Sequence, residues 1–218
     1  MLHKETVERK TFGLLRTLMK DGRLSDFTLV GGTALALYLG HRKSIDLDLF
    51  TKIPYDEKPI ESYLSEKYGF DVDVSFKNSL IGYINGIKVD LITLKYPHVE
   101  DPIESEDGIR ICSITDIAAM KLSAMADAGT RLKDFIDVAF LSTRLSFSDM
   151  LTAYEKKYNN PEKLRPIRGL TFFEEIDFTI PVEMMHGYFK KSDWGKIEER
   201  LNDMIKKENK VFRSPPLQ

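Results

Sequence analysis

Residues 80–92, LIGYINGIKVDLI, carry the clearest local signal in the chain. Two apolar segments, Leu80 to Ile84 and Ile87 to Ile92, are joined by the dipeptide Asn85-Gly86. Asn-Gly between two apolar segments is typical of a tight β-hairpin turn. The stretch therefore predicts two antiparallel strands, and Asp90 interrupts the apolar pattern of the second strand.

Short alternating or apolar segments surround this hairpin in the first half of the chain. They predict further strands over Phe27 to Val30, Ser44 to Phe50 and Asp71 to Phe76, and helices around Phe12 to Met19, over Ala34 to Leu39 and over residues 56–68. From about residue 113 the apolar residues recur at intervals of three and four, which indicates helices. Ser113 is the expected N-cap of the first of these, with Asp116 completing a capping box. We expect an α+β domain, then a helical domain, with the boundary near residues 100–112.

Bulk composition excludes several classes of protein. The 218 residues suffice for one large or two small domains, and the single cysteine allows no internal disulfide. Neither a signal peptide nor a membrane-spanning segment is predicted, so we expect a cytoplasmic protein. Thirty-two basic and 34 acidic residues give a formal charge of −2, which does not favour a general nucleic-acid binder.

Acidic residues interrupt the apolar pattern of two predicted strands. In the segment from Arg42 to Leu49, alternation puts Asp46 and Asp48 on one face together with Ser44 and Arg42, which are therefore candidate contacts to phosphate or to the ligand shell of the metal. The other face, made by Ile45, Leu47 and Leu49, is expected to enter the core. Neighbouring carboxylates repel one another, so folding alone does not call for them. If Asp90 lies nearby, the three acids form an oxygen-rich site that suits Mg²⁺, with two ions expected.

A glycine pair precedes these acids. Gly31, Gly32 and Thr33 follow an apolar strand and begin a predicted helix. Backbone N–H groups at a helix N-terminus attract anions, so this segment is a candidate cradle for a triphosphate. Alone, a Gly-Gly turn is more often structural, and an Asp-x-Asp strand is an exposed edge in about half of cases. Their combination, in this order, favours phosphate chemistry.

The order of these motifs is similar to that of a known superfamily. Leu29 to Thr33, followed after a spacer by Asp46 to Leu49, resembles the signature of polymerase-β-type nucleotidyltransferases. Asp90 matches the third acid of that signature. The resemblance implies a nucleotidyltransferase domain with a mixed β-sheet over residues 1–108 and a helical domain over residues 109–218. It also implies NTP as the substrate.

The stretch from Gly31 to Phe50 resembles the AbiEii/AbiGii toxin family more closely. On that resemblance, Lys121 and Asp134 are expected to be catalytic with the three acids, and Lys121 also to contact the nucleotide. The resemblance implies a bacterial toxin–antitoxin or phage-defence setting and a cognate antitoxin as partner. The acceptor would be the 3′ end of a tRNA or a protein side chain. The alternative is a non-catalytic protein that binds nucleotide or a partner on the same fold.

Residue patterns leave alternatives for the second half of the chain. Lys121 shares an apolar helical stripe with Ile117 and Met125, where a lysine either snorkels or reaches a ligand. Asp134 has Arg131 and Lys133 beside it, so a surface ion pair explains it equally well without the family. The densest basic stretch is a candidate RNA platform or a solvated helix surface. It comprises Lys156, Lys157, Lys163, Arg165 and Arg168.

Overall fold

The computed structural model describes residues 2–127, 129–160 and 162–217. The chain divides into two compact units. The first contains Met1–Gly40, Ser44–Pro97 and Asp101–Cys112, and the second contains His41–Lys43, His98–Glu100 and Ser113–Gln218. In these described ranges, no helix is both long enough and apolar enough to cross a membrane.

The first unit is built on a mixed sheet with three helices. The helices are α1 (Arg9–Met19), α2 (Gly31–Leu39) and α3 (Glu57–Tyr68). The strands are β1 (Thr28–Leu29), β2 (Leu47–Thr51), β3 (Asp71–Phe76), β4 (Ser79–Ile84), β5 (Ile87–Thr93), β6 (Ile103–Glu104) and β7 (Arg110–Ile111). Their order in the sheet is β3-β4-β5-β2-β1-β7-β6. The predicted strands and helices of this region are therefore confirmed, with ends shifted by a few residues.

The β4–β5 hairpin has the predicted turn. Asn85 and Gly86 have φ of 51° and 76°, the positive values that a two-residue hairpin turn demands. This turn pairs Leu80 with Leu91 and Ile81 with Asp90. Leu80, Ile84, Val89 and Leu91 are buried on the core face of the hairpin. The opposite face carries Asp90.

Strand β3 departs from the alternation predicted for it. Val72 pairs with Gly82, but Val74 pairs with Ile81, so Asp73 is an extra residue in a β-bulge. Strict alternation would place Val72, Val74 and Phe76 on one face. The bulge instead leaves Val72 on the core face and moves Val74 and Phe76 to the face that carries Asp90. The prediction of a strand is confirmed, but the period-two pattern over the whole strand was wrong.

Helices make up most of the second unit. They are α4 (Ile114–Asp127), α5 (Leu132–Leu141), α6 (Phe147–Tyr158), α7 (Leu164–Thr171) and α8 (Trp194–Lys206). The Ser113 hydroxyl accepts a hydrogen bond from the Asp116 backbone N–H at 3.0 Å, which confirms the expected N-cap of α4. A short antiparallel ribbon of β8 (Glu183–Met184) and β9 (Gly187–Tyr188) interrupts the helical sequence. The prediction that everything after residue 113 is helical was wrong at this ribbon.

Strand β2 also begins later in the chain than predicted. β2 begins at Leu47, so Arg42, Ser44 and Ile45 precede the sheet. Ile45 is 60% exposed, and the expectation that it enters the core was wrong. Leu47 and Leu49 are buried as predicted. Polar and apolar residues alternate from residue 44, but the backbone joins the hydrogen-bonded sheet only at Leu47.

Candidate active site

Two of the predicted acids lie side by side in the sheet. Strands β2 and β5 are parallel neighbours, and Asp48 is the register partner of Asp90. Asp46 comes two residues before Asp48, immediately before the strand begins. The carboxylates of Asp48 and Asp90 therefore project from the same face of the sheet, because register partners share a face.

Lys88 brings a positive charge to this face. Its ammonium lies 2.8 Å from Oδ2 of Asp90, two residues further along the same strand. Burial alone would lower the pKa of Lys88, but the hydrogen bond to Asp90 and the charges of the acids outweigh it and raise that pKa. These acids are Asp90, Asp48 and Asp46, in decreasing order of effect. One ammonium thus faces an electrostatic field produced by three carboxylates.

The predicted glycine cradle lies against Asp48. Gly31 begins α2 with φ of +69°, and a Cβ at this position would overlap Oδ2 of Asp48 and lie 3.0 Å from its Cγ. The backbone N–H of Val30 also donates to the Asp48 carbonyl oxygen at 2.9 Å. The N-terminus of α2 and the carboxylate therefore meet closely, and only glycine leaves room for that approach.

Thr33 ties α2 to the segment that leads into β2. Its buried hydroxyl is within hydrogen-bonding distance of Ser44 Oγ, at 2.8 Å, and of the Asp46 carbonyl oxygen. Thr33 thus connects two other predicted site residues, the hydroxyl of Ser44 and the backbone of Asp46. This contact positions Asp46 beside the cradle formed by Gly31 and Gly32.

The donor set fits a divalent cation. Oδ1 of Asp90 is buried and has no hydrogen-bond partner within the described part of the chain, which is costly unless a ligand supplies one. The carboxylates of Asp46, Asp48 and Asp90 act together on the Lys88 ammonium, so the site is rich in negatively charged oxygens. Among the described residues, the ligand oxygens of the three acids are not all within 4.8 Å of one another. An ion that bridged all three would therefore require them to approach.

Arg42 lies in the second unit and belongs to a different cluster. Its guanidinium donates two hydrogen bonds to Asp137, from Nε at 2.7 Å and from Nη2 at 2.8 Å. The expectation that Arg42 extends from β2 on the carboxylate face was wrong, because the strand begins five residues later, at Leu47. A role for Arg42 in binding phosphate stays a prediction.

Asp137 is the centre of this buried cluster. Besides Arg42, it contacts Nε2 of His41 at 2.8 Å and the Lys121 ammonium at 2.6 Å. Lys121 also pairs with Asp134 at 2.6 Å, and Arg131 pairs with Asp134 at 2.7 Å. Asp134 is 4% exposed, so it is part of a buried network and is not in a surface ion pair.

Burial and pairing act in opposite directions on these groups. Burial lowers the pKa of His41 more than the Asp137 carboxylate raises it, so the ring is held neutral. Burial alone would lower the pKa of Lys121, but the negative charges of Asp137 and Asp134 outweigh burial and raise this pKa. Burial would raise the pKa of Asp137, but Arg42 and Lys121 hold it well below its usual range. Asp137 and Lys121 are therefore ionised and compensate one another, whereas the His41 ring beside them is neutral.

Sequence reasoning missed Lys88, His41 and Asp137 as members of these clusters. Lys88 had a signal, because it precedes Asp90 by two residues in a strand and must share its face. Asp137 had a weaker one, since it lies one helical turn after Asp134. His41 directly follows Gly40, where a turn residue is expected, and its burial against Asp137 could not be inferred locally.

Most cations of the basic stretch have partners of their own. Lys157 is 2% exposed and pairs with the buried Asp116 at 2.7 Å, so it does not belong to an exposed platform. Lys156 donates to the Val99 carbonyl oxygen at 3.0 Å. Lys163 and Arg165 pair with Glu155 and Asp127, at 3.0 and 3.3 Å. The interpretation of this stretch as a continuous RNA platform is not supported.

Comparison with known proteins relates the chain to one family. The family model for the nucleotidyl transferase AbiEii toxin, type IV toxin–antitoxin system, matches residues 13–106 and 86–202. The uncharacterized protein aq_aa25 of Aquifex aeolicus (strain VF5) is 32% identical over 200 residues, covering 88% of this chain and 92% of that protein. Both matches include the carboxylates and the glycine cradle.

Two solved structures share the fold. MenT4, a nucleotidyltransferase toxin from Mycobacterium tuberculosis H37Rv, has a TM-score of 0.52 and 15% identity, covering 91% of this chain and 86% of that chain. The antibiotic-resistance factor ANT(2'')-Ia also has a TM-score of 0.52, with 16% identity, covering 67% of this chain and 91% of that chain. At such identities the likeness shows the fold alone, a polymerase-β-type nucleotidyltransferase fold.

Proposed function

The chain belongs to the AbiEii nucleotidyl transferase toxin family, and from this premise we propose that it moves a nucleotidyl group from an NTP to an acceptor hydroxyl with the help of Mg²⁺. One observation carries the proposal. Asp48 and Asp90 are register partners beside the Gly31 cradle, and Oδ1 of Asp90 is buried without a hydrogen-bond partner among the described residues. Such an arrangement costs stability without a ligand, which suggests that it is retained for binding one.

Different residues of the first unit bind the phosphates, bind the metal ions and position the backbone. The backbone N–H groups of Gly31 and Gly32 face the phosphates at the start of α2, where the helix dipole favours negative charge. Asp46, Asp48 and Asp90 would hold two Mg²⁺ ions, which would favour deprotonation of the acceptor hydroxyl and stabilise the charge on pyrophosphate. Thr33, which also bonds the Ser44 hydroxyl, positions the Asp46 backbone.

The transfer is a displacement at the α-phosphorus. The acceptor oxygen forms a bond to this phosphorus as the bond to the bridging oxygen of the β-phosphate breaks. The electron pair of that bond leaves with pyrophosphate, and the hydroxyl proton passes to solvent. Positioning and charge stabilisation supply most of the acceleration of such reactions, and both depend here on the fixed strands β2 and β5.

Catalytic roles in the second unit are proposed from the family resemblance. Lys121 and Asp134 match the places of catalytic residues in the family, and we retain both as catalytic candidates. Lys121 already contacts two carboxylates, so any nucleotide contact would compete with its ion pairs. We propose the tRNA 3′ end or a protein side chain as acceptor, and a cognate antitoxin as partner, in line with the toxin family.

The direct test is transfer of a labelled nucleotide. The protein is incubated with each NTP labelled at the α-phosphate, with Mg²⁺ and with either total RNA or total protein of a bacterial extract. We expect one fraction to become labelled, and we expect Asp48→Asn to abolish the labelling. Asp203→Asn, which alters a partly exposed acid on α8, is the matched control and should transfer like wild type. Equal labelling by Asp48→Asn would disprove the assignment.

A growth assay tests the toxin role separately. Induced expression of the wild-type chain in a bacterial host should arrest growth, whereas Asp48→Asn at the same protein level should not. Unchanged growth with active wild-type enzyme would show that the transfer is not toxic in that host.

A further inference from the structure

Three exposed apolar side chains and one partly buried apolar side chain lie on the same sheet face as the carboxylates. Val74 and Phe76 on β3 are 43% and 53% exposed, and Tyr83 on β4 is 40% exposed. Ile81, between them on β4, is partly buried. We call these residues the apolar strip. Large apolar side chains exposed together on one sheet face suggest a binding surface.

The β-bulge is what creates the strip. Without the bulge, alternation from Val72 would turn Val74 and Phe76 toward the core. The bulge therefore places Val74 and Phe76 on the carboxylate face. A bulge that exposes two large apolar side chains does not favour burial, so we interpret it as a feature that serves binding.

The strip continues the row of catalytic acids. Asp48 pairs with Asp90, Asp90 with Ile81, and Ile81 with Val74, across four adjacent strands. Adjacent strands are about 4.8 Å apart, so Val74 lies about 10 Å from Asp90 along this row. In the next row, Lys88 pairs with Tyr83. No other strand intervenes between the acids and the strip.

In-line displacement fixes which substrate lies on which side. The Gly31 cradle adjoins Asp48 from the β1 side, and the strip adjoins Asp90 from the β4 side. The attacking oxygen and the leaving pyrophosphate must lie on opposite sides of the α-phosphorus. With the phosphates at the cradle, the acceptor must therefore approach from β5, β4 and β3.

We propose that the apolar strip binds the acceptor and that this acceptor is the unpaired end of a nucleic acid, whose bases stack on Tyr83 and Phe76. This inference rests on the proposed function, because it assigns the second substrate of the same site. Exposed aromatic rings on a sheet are a known platform for unpaired bases, and every base offers a stacking face. The terminal hydroxyl would then extend toward Asp90.

Charge around the strip favours base contacts over backbone contacts. Lys88 is the register partner of Tyr83 and Lys77 follows Phe76, so each ring has a lysine nearby. Asp71 and Asp73 on the edge strand are exposed and would repel phosphates. Binding should therefore depend mainly on stacking and only weakly on salt, unlike binding that neutralises many phosphates.

Direct binding of RNA tests the strip without requiring catalysis. The probe is a fluorescent single-stranded RNA oligonucleotide, titrated with the full chain in fluorescence anisotropy. Loss of both rings in Phe76→Ser/Tyr83→Ser should weaken binding roughly tenfold or more. Phe76→Tyr/Tyr83→Phe keeps both rings and should bind like wild type. Tyr96→Ser removes a ring that is 44% exposed outside the sheet strands and is the matched control.

The outcomes separate this inference from the proposed function. Ring-dependent RNA binding supports the strip, even if no NTP is transferred, in which case only the proposed function fails. Equal RNA binding by wild type and the double serine variant, or absence of binding by wild type, would overturn the strip as an acceptor site. Nucleotide transfer to protein alone, with no RNA binding, would likewise overturn the nucleic-acid acceptor and leave the transferase in place.

Discussion

Each of the two units contains a cluster of charged side chains, and the two clusters differ in how their charges are balanced. In the first unit, the carboxylates of Asp46, Asp48 and Asp90 act on the ammonium of Lys88, and Oδ1 of Asp90 is buried without a hydrogen-bond partner among the described residues. In the second unit, Asp134 and Asp137 face Lys121, Arg42 and Arg131.

This difference separates ligand binding from structural support. Breaking a buried pair leaves an uncompensated charge and is strongly destabilising, so the cluster around Asp137 should act on stability. Neighbouring carboxylates repel one another, so the acids of the first cluster gain little stability from their proximity and instead attract cations. We therefore expect changes in the first cluster to alter activity and changes in the second to alter stability.

The largest expected effect is on activity in the first cluster. Asp48→Asn should reduce nucleotide transfer by roughly 10³-fold or more, because it weakens a group needed when charge develops on the phosphates. Thermal stability should stay the same or rise, since the substitution relieves carboxylate repulsion. Initial rates of transfer and a melting curve on the same preparation test both parts. A variant that unfolds earlier while still transferring nucleotide would contradict the comparison.

The next effect is on stability in the second cluster. Asp137→Asn should lower the free energy of unfolding by about 3–5 kcal/mol, because Arg42 and Lys121 lose a buried counter-charge. Urea denaturation measures this loss. Asp203→Asn breaks a partly exposed pair with Lys207 and should cost at most about 1 kcal/mol. If Asp137→Asn keeps its stability but loses transfer, the second cluster is catalytic in its own right.

A pH titration should show a smaller effect that centres on His41. The unfolded chain protonates this ring below about pH 6.5, whereas the folded protein holds it neutral, so the unfolded state binds more protons. Stability should therefore fall as the pH drops below 6.5, by at most about 1.4 kcal/mol per pH unit from this group. The contribution of Asp137, whose pKa is lowered, is kept above about pH 4 and lost only below it.

His41→Gln tests this assignment, since it removes the titration and keeps an amide near Asp137. Denaturation at pH 7 and pH 5 should show a shallower loss for this variant than for wild type. The exposed His186, changed to Gln, should leave the wild-type slope intact. Parallel slopes for wild type and His41→Gln would exclude His41 as the source.

The smallest expected effect is stabilisation by magnesium. A ligand that binds only the folded state at five times its Kd adds about 1 kcal/mol, so Mg²⁺ should raise the melting temperature of wild type slightly. The shift should vanish in Asp90→Asn and persist in Asp203→Asn. An equal shift in Asp90→Asn would mean that Mg²⁺ binds elsewhere.

The sequence predicted those features that depend on near neighbours along the chain. The Asn85-Gly86 turn fixes the β4–β5 register, and alternation fixes the face on which Asp90 lies. Helix α4, which Ser113 caps, follows from the capping residue and the apolar period. Asp48 was predicted in a strand for the same local reason.

Features that depend on distant partners could not be predicted. Arg42 and Asp137 are 95 residues apart, and only the folded chain shows that they pair. The bulge at Asp73 is an irregularity of pairing between β3 and β4, and Asp71 to Phe76 alternate in sequence whether or not it forms. Strand β2 was predicted too long because polar and apolar residues continued to alternate where hydrogen bonding to the ladder had ended.

The close approach of Gly31 to Asp48 has a genetic consequence. Every missense change in a glycine codon introduces a side chain, and any Cβ here would displace the Asp48 carboxylate. In a population selected for escape from growth arrest by this chain, we expect codon 31 to be a recurrent site of inactivating mutation. Such alleles should still produce folded protein at normal levels, which distinguishes them from frameshift and core alleles recovered in the same selection.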